Sequence, residues 1–189
     1  MKEQTTPITQ FQPVTPERLA DLRRFSESHG KFRYCSCMRW RMTSSEYQRS
    51  TKQERVAALE KLVCQEIPVG VLAYVDGEPV GWCSIAPRHT YTALERFRAL
   101  PRIDDTPVWS VACFFVDRHF RGQKVTAGLL KAAVEYARSQ GAMAIEGYPV
   151  EPGHRLYTYM GSLGTFQSAG FEDVTPPGQA RRVMRFIVR

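Results

Sequence analysis

Residues 108–141 read VWSVACFFVDRHFRGQKVTAGLLKAAVEYARSQG, and this stretch decides the fold. Residues 109–116 are nearly all apolar, which predicts a strand buried on both faces. Residues 126–140 have apolar side chains at helical spacing, and Gly141 suits the end of that helix. The predicted core face of the helix consists of Leu129, Leu130, Ala133 and Ala137. The stretch therefore predicts a buried strand, a tight turn and an amphipathic helix.

The turn between strand and helix, residues 121–126, is the candidate binding site. A helix N-terminus presents unpaired N–H groups and the positive end of the helix dipole, so it favours phosphate. Arg121 and Lys124 add two cationic side chains. The turn lacks the G-x-x-x-x-G-K-(S/T) and G-x-G-x-x-G patterns of nucleotide-binding loops. It therefore predicts a phosphorylated cofactor of another class.

This strand, turn and helix resemble motif A of the GNAT superfamily of N-acetyltransferases, in which a strand leads into (R/Q)-x-x-G-x-(G/A) and a helix. Arg121 matches the first position of that motif, whereas Lys124 and Thr126 stand where the family usually has glycine. Gly170 and Phe171 resemble the Gly-Phe pair that ends a later helix of the family. The resemblance covers roughly the second half of the chain.

The resemblance implies that acetyl-CoA is the co-substrate. The pyrophosphate would contact the turn, and the pantetheine arm would pair with the backbone of the preceding strand. The implied phosphate contacts are Arg121, Gly122, Gln123, Lys124, Val125 and Thr126. The implied strand contacts are Phe114, Phe115 and Val116. A backbone N–H near Cys113 or Phe114 would polarise the thioester carbonyl.

The rest of the chain predicts an α/β fold. Val69–Val75 and Pro79–Ile85 flank Asp76-Gly77, which indicates a β-hairpin. Helices are predicted at residues 15–28, 53–65, 126–140 and 157–169, and Lys31–Met42 is predicted to be irregular. We expect a mixed, mostly antiparallel sheet of about six or seven strands, flanked by about four helices, with a splayed parallel central pair, as the resemblance also implies. A single domain is expected, with residues 1–107 as the substrate-side half and 108–189 as the acetyl-CoA-binding half.

Acetyl transfer to an amine needs a neutral amine, a donor to the carbonyl oxygen and a proton for the thiolate. Glu146, in a predicted apolar strand, is the candidate base; a solvent-facing edge position is the alternative. Many family members have a tyrosine where this chain has Phe166, so Tyr157 or Tyr159 is the candidate acid. Solvent or His154 are further possible proton donors.

Arginines and aromatic residues alternate in residues 32–42, FRYCSCMRWRM, between two predicted helices. Arg39, Trp40 and Arg41 are the candidate acceptor-binding residues, since a guanidinium can hold a carboxylate or phosphate by paired hydrogen bonds. A core-packing loop with surface arginines is the alternative interpretation.

The composition, with 43% hydrophobic and 24% charged residues, is that of a globular protein. The sequence has neither an apolar run that could span a membrane nor a signal-peptide core, so a cytoplasmic protein is expected. Five cysteines are an odd number, and the Cys35-Ser-Cys37 pair has no second pair at ligand spacing, so neither a disulfide framework nor a metal site is predicted.

Three functions are compatible with a net charge of +7. The first is an acetyl-CoA-dependent N-acetyltransferase for a small-molecule or peptide amine. The sequence leaves its oligomeric state open between a monomer and the homodimer that many acetyltransferases of this type form. The second is a noncatalytic acyl-CoA-binding regulatory domain, because Lys124 and Thr126 replace glycines. The third, nucleic-acid binding, is disfavoured because the basic residues are dispersed.

Overall fold

The computed structural model describes residues 9–151, 153 and 156–188, and its centre is a seven-stranded sheet. The strands are β1 (Thr9–Pro13), β2 (Val71–Val75), β3 (Glu78–Pro87), β4 (Val108–Val116), β5 (Ala144–Gly147), β6 (Glu172–Asp173) and β7 (Met184–Ile187). Their order across the sheet is β1-β2-β3-β4-β5-β7-β6. Among these described strands, β4 and β5 form the one parallel pair, and the other neighbours are antiparallel. The predicted fold class is confirmed.

Among the described residues there are seven α-helices, more than the expected four. They are α1 (Leu19–Ser28), α2 (Gly30–Cys35), α3 (Ser44–Arg49), α4 (Lys52–Cys64), α5 (Thr92–Glu95), α6 (Val125–Ser139) and α7 (Leu163–Ser168). The prediction that Lys31–Met42 is irregular was wrong over α2. Helices as short as α2, α3 and α5 give too few turns for an apolar period to show in the sequence.

The helix predicted at residues 157–169 is also shorter than expected. Thr158–Met160 forms a 3-10 turn, and Gly161 has a φ of +91°, which ends it. Ser162 is extended, and its hydroxyl accepts a hydrogen bond from the Thr165 N–H, so α7 begins one residue later.

The hairpin prediction is confirmed at Asp76 and Gly77. These residues have φ angles of +51° and +80° and join β2 to β3 in a two-residue turn. Such a turn needs positive φ at both positions, which explains the Asp-Gly pair.

Helix α6 covers one face of the sheet with the predicted core residues. Leu129, Leu130, Ala133 and Ala137 are all fully buried. Burial of each leucine contributes roughly 1.5–3 kcal/mol. Gly141, with a φ of +79°, follows the last turn, and its N–H donates to the Arg138 carbonyl. The helix therefore ends where the sequence predicts.

The opposite face of the sheet is covered by α1, α2 and α4. Phe25 and Phe32 are buried there, and the Phe32 ring contacts Trp82 of β3 at 5.6 Å between centroids. The sheet is thus packed between two helical layers, which explains why β4 is apolar on both sides. Within the described residues, no helix combines the length and apolar character needed to cross a membrane.

Phe166 of α7 packs its ring directly on the backbone of Gly147, at the end of β5. The ring is fully buried and also contacts Phe114 and Phe171, with centroids 6.2 and 5.1 Å apart. A methyl group on Gly147 would overlap ring atoms of Phe166. Glycine is therefore required at this position for space.

We expect Gly147→Ala to lower the free energy of unfolding by about 2 kcal/mol, because the new methyl group overpacks the core. Gly164→Ala is the matched control, since a Cβ at Gly164 meets no atom within 4 Å. That control should leave stability unchanged or raise it by up to ~1 kcal/mol, because alanine favours a helix. Urea denaturation measures both, and equal stabilities would contradict the packing of Phe166 on Gly147.

Candidate functional site

The parallel strands β4 and β5 separate after four paired positions. Their pairing runs from Val108 opposite Ala144 to Val111 opposite Gly147, and β4 then continues to Val116. Beyond β5, the Val150 N–H donates to the carbonyl of Gly161 at 3.1 Å. The chain after β5 thus pairs with a later segment, and the edge of β4 beyond Val111 faces a gap.

A cavity of about 860 Å³ lies at this gap and is called the β4 cavity below. The residues that line it and were predicted to bind the cofactor are Phe114, Phe115, Val116, Arg121 and Thr126. Opposite them are α2 with the turn that follows it and the segment of residues 158–165. Residues from both predicted halves of the chain, before and after position 108, therefore form the walls.

The N-terminus of α6 lies at one end of the β4 cavity. The Gly128 N–H donates to the Lys124 carbonyl at 3.0 Å, and the N–H groups of the preceding helical turn have no acceptor within the helix. The Arg121 Nε donates to the Val116 carbonyl at 3.1 Å, which places the guanidinium beside the end of β4. The structure thus combines helix N–H groups with a cation, as an anion site requires.

The other predicted phosphate contacts do not line the β4 cavity. Gly122, Gln123 and Lys124 are exposed, and the Val125 side chain is buried in the core. Lys124 has a φ of +61°, a conformation that costs a residue other than glycine about 1 kcal/mol. The turn thus keeps a backbone suited to glycine although it contains lysine.

The side chains of Phe114 and Phe115 pack into the two cores on opposite faces of β4. Phe114 contacts Phe166, whereas Phe115 contacts Phe25 at 5.7 Å between centroids. Because both rings are held by packing, the strand backbone beside the cavity is rigidly positioned. At these two positions the rings therefore belong to the core, and the backbone of the strand borders the cavity.

Glu146 lies away from the β4 cavity, in a buried ion-pair network. Its side chain is 2% exposed; Oε2 accepts from Arg88 at 3.2 Å and from the Tyr148 hydroxyl at 3.0 Å. Oε1 accepts from Arg185 Nη2 at 2.7 Å. Glu146 borders a different cavity, of about 400 Å³, that also includes Trp109. The alternation of β5 directs Glu146 to the arginines and Gly147 to the ring of Phe166, so the geometry favours a structural role over a base at the gap.

Of the candidate acids, Tyr159 alone lines the β4 cavity. Burial raises the pKa of Tyr159 above its usual range, so its hydroxyl is protonated at neutral pH. Tyr157 lies behind it, with the two ring centroids 6.2 Å apart. Phe166 is buried away from the cavity, and His154 lies outside the described residues. Tyr159 is therefore the best-placed proton donor of these residues.

The three candidate acceptor-binding residues divide between cavity and core. Arg39 lines the β4 cavity, with its guanidinium over the rings of Trp40 and Tyr47 at 5.5 and 5.9 Å. Trp40 also lines it. Arg41 is buried, donates to Thr90 Oγ1 and the Pro68 carbonyl, and does not reach the cavity.

Three thiols in the cavity wall were not predicted to belong to the site. Cys35, Cys37 and Cys113 line the β4 cavity, and the Trp82 indole donates to Cys37 Sγ at 3.0 Å. Burial raises the pKa of the Cys35 and Cys37 thiols, which keeps them protonated. Within the described part of the chain, no three His, Cys, Asp or Glu residues are arranged to hold a metal ion.

The charge of the cavity wall is entirely positive among the described residues. Lys31, Arg39 and Arg121 line it, and none of the described lining residues is an aspartate or a glutamate. A wall with three cations favours an anionic ligand. Lys31 was not singled out in the sequence, because it lies in α2, whose helical character was not predicted.

The comparisons with known proteins agree with this geometry. A family model described as "Acetyltransferase (GNAT) family" matches residues 34–161, about two thirds of the chain. No curated protein sequence matches the chain significantly.

Solved structures with a similar fold include three acetyltransferase-related chains. One is the ribosomal-protein-alanine N-acetyltransferase of Brucella melitensis, with a TM-score of 0.52 and 20% identity over 95% of this chain and 99% of that one. Another is the paia N-acetyltransferase of Thermoplasma acidophilum in complex with coenzyme A, with a TM-score of 0.52 and 14% identity over 96% of this chain and 99% of that one. The third is yncA of Salmonella typhimurium with its cofactor acetyl-CoA, with a TM-score of 0.56 and 14% identity over 96% of this chain and 94% of that one. At these identities the similarity shows the fold alone.

We expect Glu146→Gln to lower the free energy of unfolding by about 3 kcal/mol, because the buried Arg88 and the partly buried Arg185 lose the carboxylate with which both form ion pairs. Glu135→Gln is the matched control, since Glu135 is exposed and pairs with Arg138 in a surface contact. Chemical denaturation compares the two variants. A Glu146 variant as stable as the control would contradict a structural role.

Proposed function

Because this chain belongs to the GNAT acetyltransferase family, we propose that it transfers an acetyl group from acetyl-CoA to a primary amine of a small molecule or peptide. Acetyl-CoA is the co-substrate of this family. The observation that carries the proposal is the β4 cavity, where an open strand edge ends at a helix N-terminus and Arg121.

The donor is proposed to lie along β4. Its pyrophosphate would accept hydrogen bonds from the first N–H groups of α6 and from Arg121, where helix dipole and side-chain charge coincide. The pantetheine arm would pair with the backbone of residues 114–116, and the thioester would lie near Cys113. Cys113 and Val116 are about 10 Å apart at the usual rise of a strand, so the two ends of the site are well separated.

The amine is proposed to enter at the Cys113 end as the neutral species. A cationic wall without a carboxylate disfavours an ammonium ion and thus lowers the pKa of the bound amine. A free α-amino group has a pKa of about 8, so a useful neutral fraction exists at neutral pH. The amine would then attack the thioester directly in a ternary complex, with no covalent enzyme intermediate.

The leaving thiolate is proposed to take its proton from Tyr159, while the nitrogen that has formed the amide bond loses one proton, which returns to the Tyr159 oxygen directly or through water. Tyr159 lines the cavity, and its hydroxyl stays protonated, as a general acid must. The base role of Glu146 remains a prediction: it requires that Glu146→Gln lose turnover at neutral pH and recover it at high pH. The neutral-amine mechanism instead expects that kcat/KM rises with pH through the pKa of the acceptor in both proteins.

A noncatalytic acyl-CoA-binding regulatory domain is the alternative function. It is supported by Lys124 and Thr126 in the turn and by Phe166 at the usual tyrosine position. Both functions need the donor site, and turnover separates them. A cytoplasmic location, a homodimer and the absence of nucleic-acid binding remain predictions.

We expect Arg121→Ala to raise the Kd for coenzyme A by about 10- to 100-fold, because the variant loses one or two hydrogen bonds to a charged phosphate. Arg138→Ala is the matched control, because Arg138 lies at the far end of α6 and pairs with Glu135. Isothermal titration calorimetry measures both variants. Equal affinity in the wild type and the Arg121 variant would contradict the phosphate assignment.

The proposed reaction is tested by turnover. We expect acetyl-CoA at 100 times its Kd to raise the free energy of unfolding by about 2.7 kcal/mol. With a panel of primary amines we then expect stoichiometric release of coenzyme A and N-acetylated product, both followed by mass spectrometry. Tight binding of acetyl-CoA with no product from any amine would contradict an enzyme and favour the regulatory domain.

A further inference from the structure

Two arginines flank a pair of stacked aromatic rings at the acceptor end of the site. The Arg39 guanidinium lies over Trp40 at 5.5 Å, and Trp40 stacks on Tyr157 with centroids 5.9 Å apart and an interplanar angle of 29°. The Arg181 guanidinium lies over the Tyr157 ring at 4.5 Å. Arg39 and Trp40 line the β4 cavity, whereas Tyr157 and Arg181 lie behind this wall.

Neither arginine has an acidic partner among the described residues. Arg39 contacts only aromatic rings through its guanidinium. Arg181 donates from Nη2 to the Tyr148 carbonyl at 3.2 Å, but its buried Nη1 has no acceptor, and burial lowers its pKa. By contrast, Arg88 and Arg185 each pair with two carboxylates. The acceptor end therefore contains positive charge that the fold itself does not neutralise.

A third donor in this wall also lacks an acceptor. Trp40 is 2% exposed, and its buried indole N–H forms no hydrogen bond with the described residues. A buried N–H without a partner costs roughly 1–3 kcal/mol. Unused donors and cations together favour a ligand group that is anionic and only accepts hydrogen bonds.

These groups lie at the reacting end of the site and not at the phosphate end. Tyr159 lies within electrostatic range of both Arg39 and Cys113, and all three residues line the β4 cavity. Cys113 is about 10 Å along β4 from Val116, beside which Arg121 and the start of α6 are placed. Arg121 is thus positioned to bind the phosphates of the donor, whereas Arg39 and Arg181 are positioned near the acceptor.

We propose that the acceptor carries a carboxylate, which Arg39 binds in the β4 cavity while Arg181 adds its charge from behind Tyr157. The acceptor is then an amino acid or a peptide with a carboxylate near the reactive amine. A planar guanidinium binds a carboxylate through two parallel hydrogen bonds. Polyamines would be repelled by the same charges. This inference rests on the proposed function, because the amine and its carboxylate enter the same site.

The test is binding, which does not depend on turnover. Protein saturated with coenzyme A is titrated calorimetrically with L-amino acids that have uncharged side chains, with dipeptides of such residues, and with the corresponding C-terminal amides, which carry no carboxylate. We expect at least one probe with a carboxylate to bind at least 10-fold more tightly than its amide. Comparison of the amino acids with the dipeptides then shows whether the acceptor is an amino acid or a peptide. Equal binding of acids and amides, tighter binding of a diamine, or no binding of any probe would overturn the proposal.

Two variants locate the effect. Arg39→Gln should reduce the preference for the carboxylate by about 10-fold, the effect of losing a hydrogen bond to a charged group, and Arg181→Gln should reduce it by about 2- to 5-fold, because it removes a charge that does not touch the ligand. The affinity for coenzyme A should stay unchanged as evidence of folding. Arg182→Gln is the matched control, since this neighbouring arginine is exposed and pairs with Glu151 and Asp173, and it should keep the preference. A preference that survives in both test variants would overturn the assignment.

The acetylation assay separates the two proposals. Carboxylate binding that depends on Arg39, without acetylation of any amine, would support the anion site and contradict the proposed reaction. Acetylation of neutral amines, with no preference for a carboxylate, would support the reaction and overturn the anion site.

Discussion

The separation of β4 from β5 is the constraint on which the site depends. Parallel strands would normally stay paired, but here the ring of Phe166 occupies the space beside Gly147, and Gly161 takes over the hydrogen bond of Val150. The backbone edge of β4 is thereby left for another partner. A cavity next to an unpaired strand edge is thus produced by core packing.

Charge is sorted between two places in the molecule. The buried carboxylate of Glu146 pairs with two arginines, whereas the β4 cavity is lined by cations, with no acidic lining residue in the described part of the chain. A buried ion pair adds little net stability but is costly to break. A cavity wall with unpaired cations, by comparison, is stabilised when an anion binds. The first arrangement is structural, and the second is available for binding.

The sequence predicted the parts of the site that depend on local chain geometry. The hairpin at Asp76 and the extent of α6 follow from turn chemistry and apolar period, so both could be predicted. The partners of Glu146 could not, because they come from Arg88 and Arg185, which are distant in the chain. Arg39 and Arg41 are the same residue type on either side of Trp40, so the sequence does not distinguish them. Tertiary packing places Arg39 at the cavity and Arg41 in the core.

The walls of the β4 cavity come from segments far apart in the chain, one from residues 31–47 and the other from residues 113–165. A molecule bound between them acts as a noncovalent cross-link. Opening of either segment would release it, so occupancy couples the two segments into one cooperative unfolding unit and raises stability in proportion to RT ln(1 + [L]/Kd). The occupied protein should accordingly resist local opening, and hence proteolysis, over a much longer part of its chain than the residues that touch the ligand.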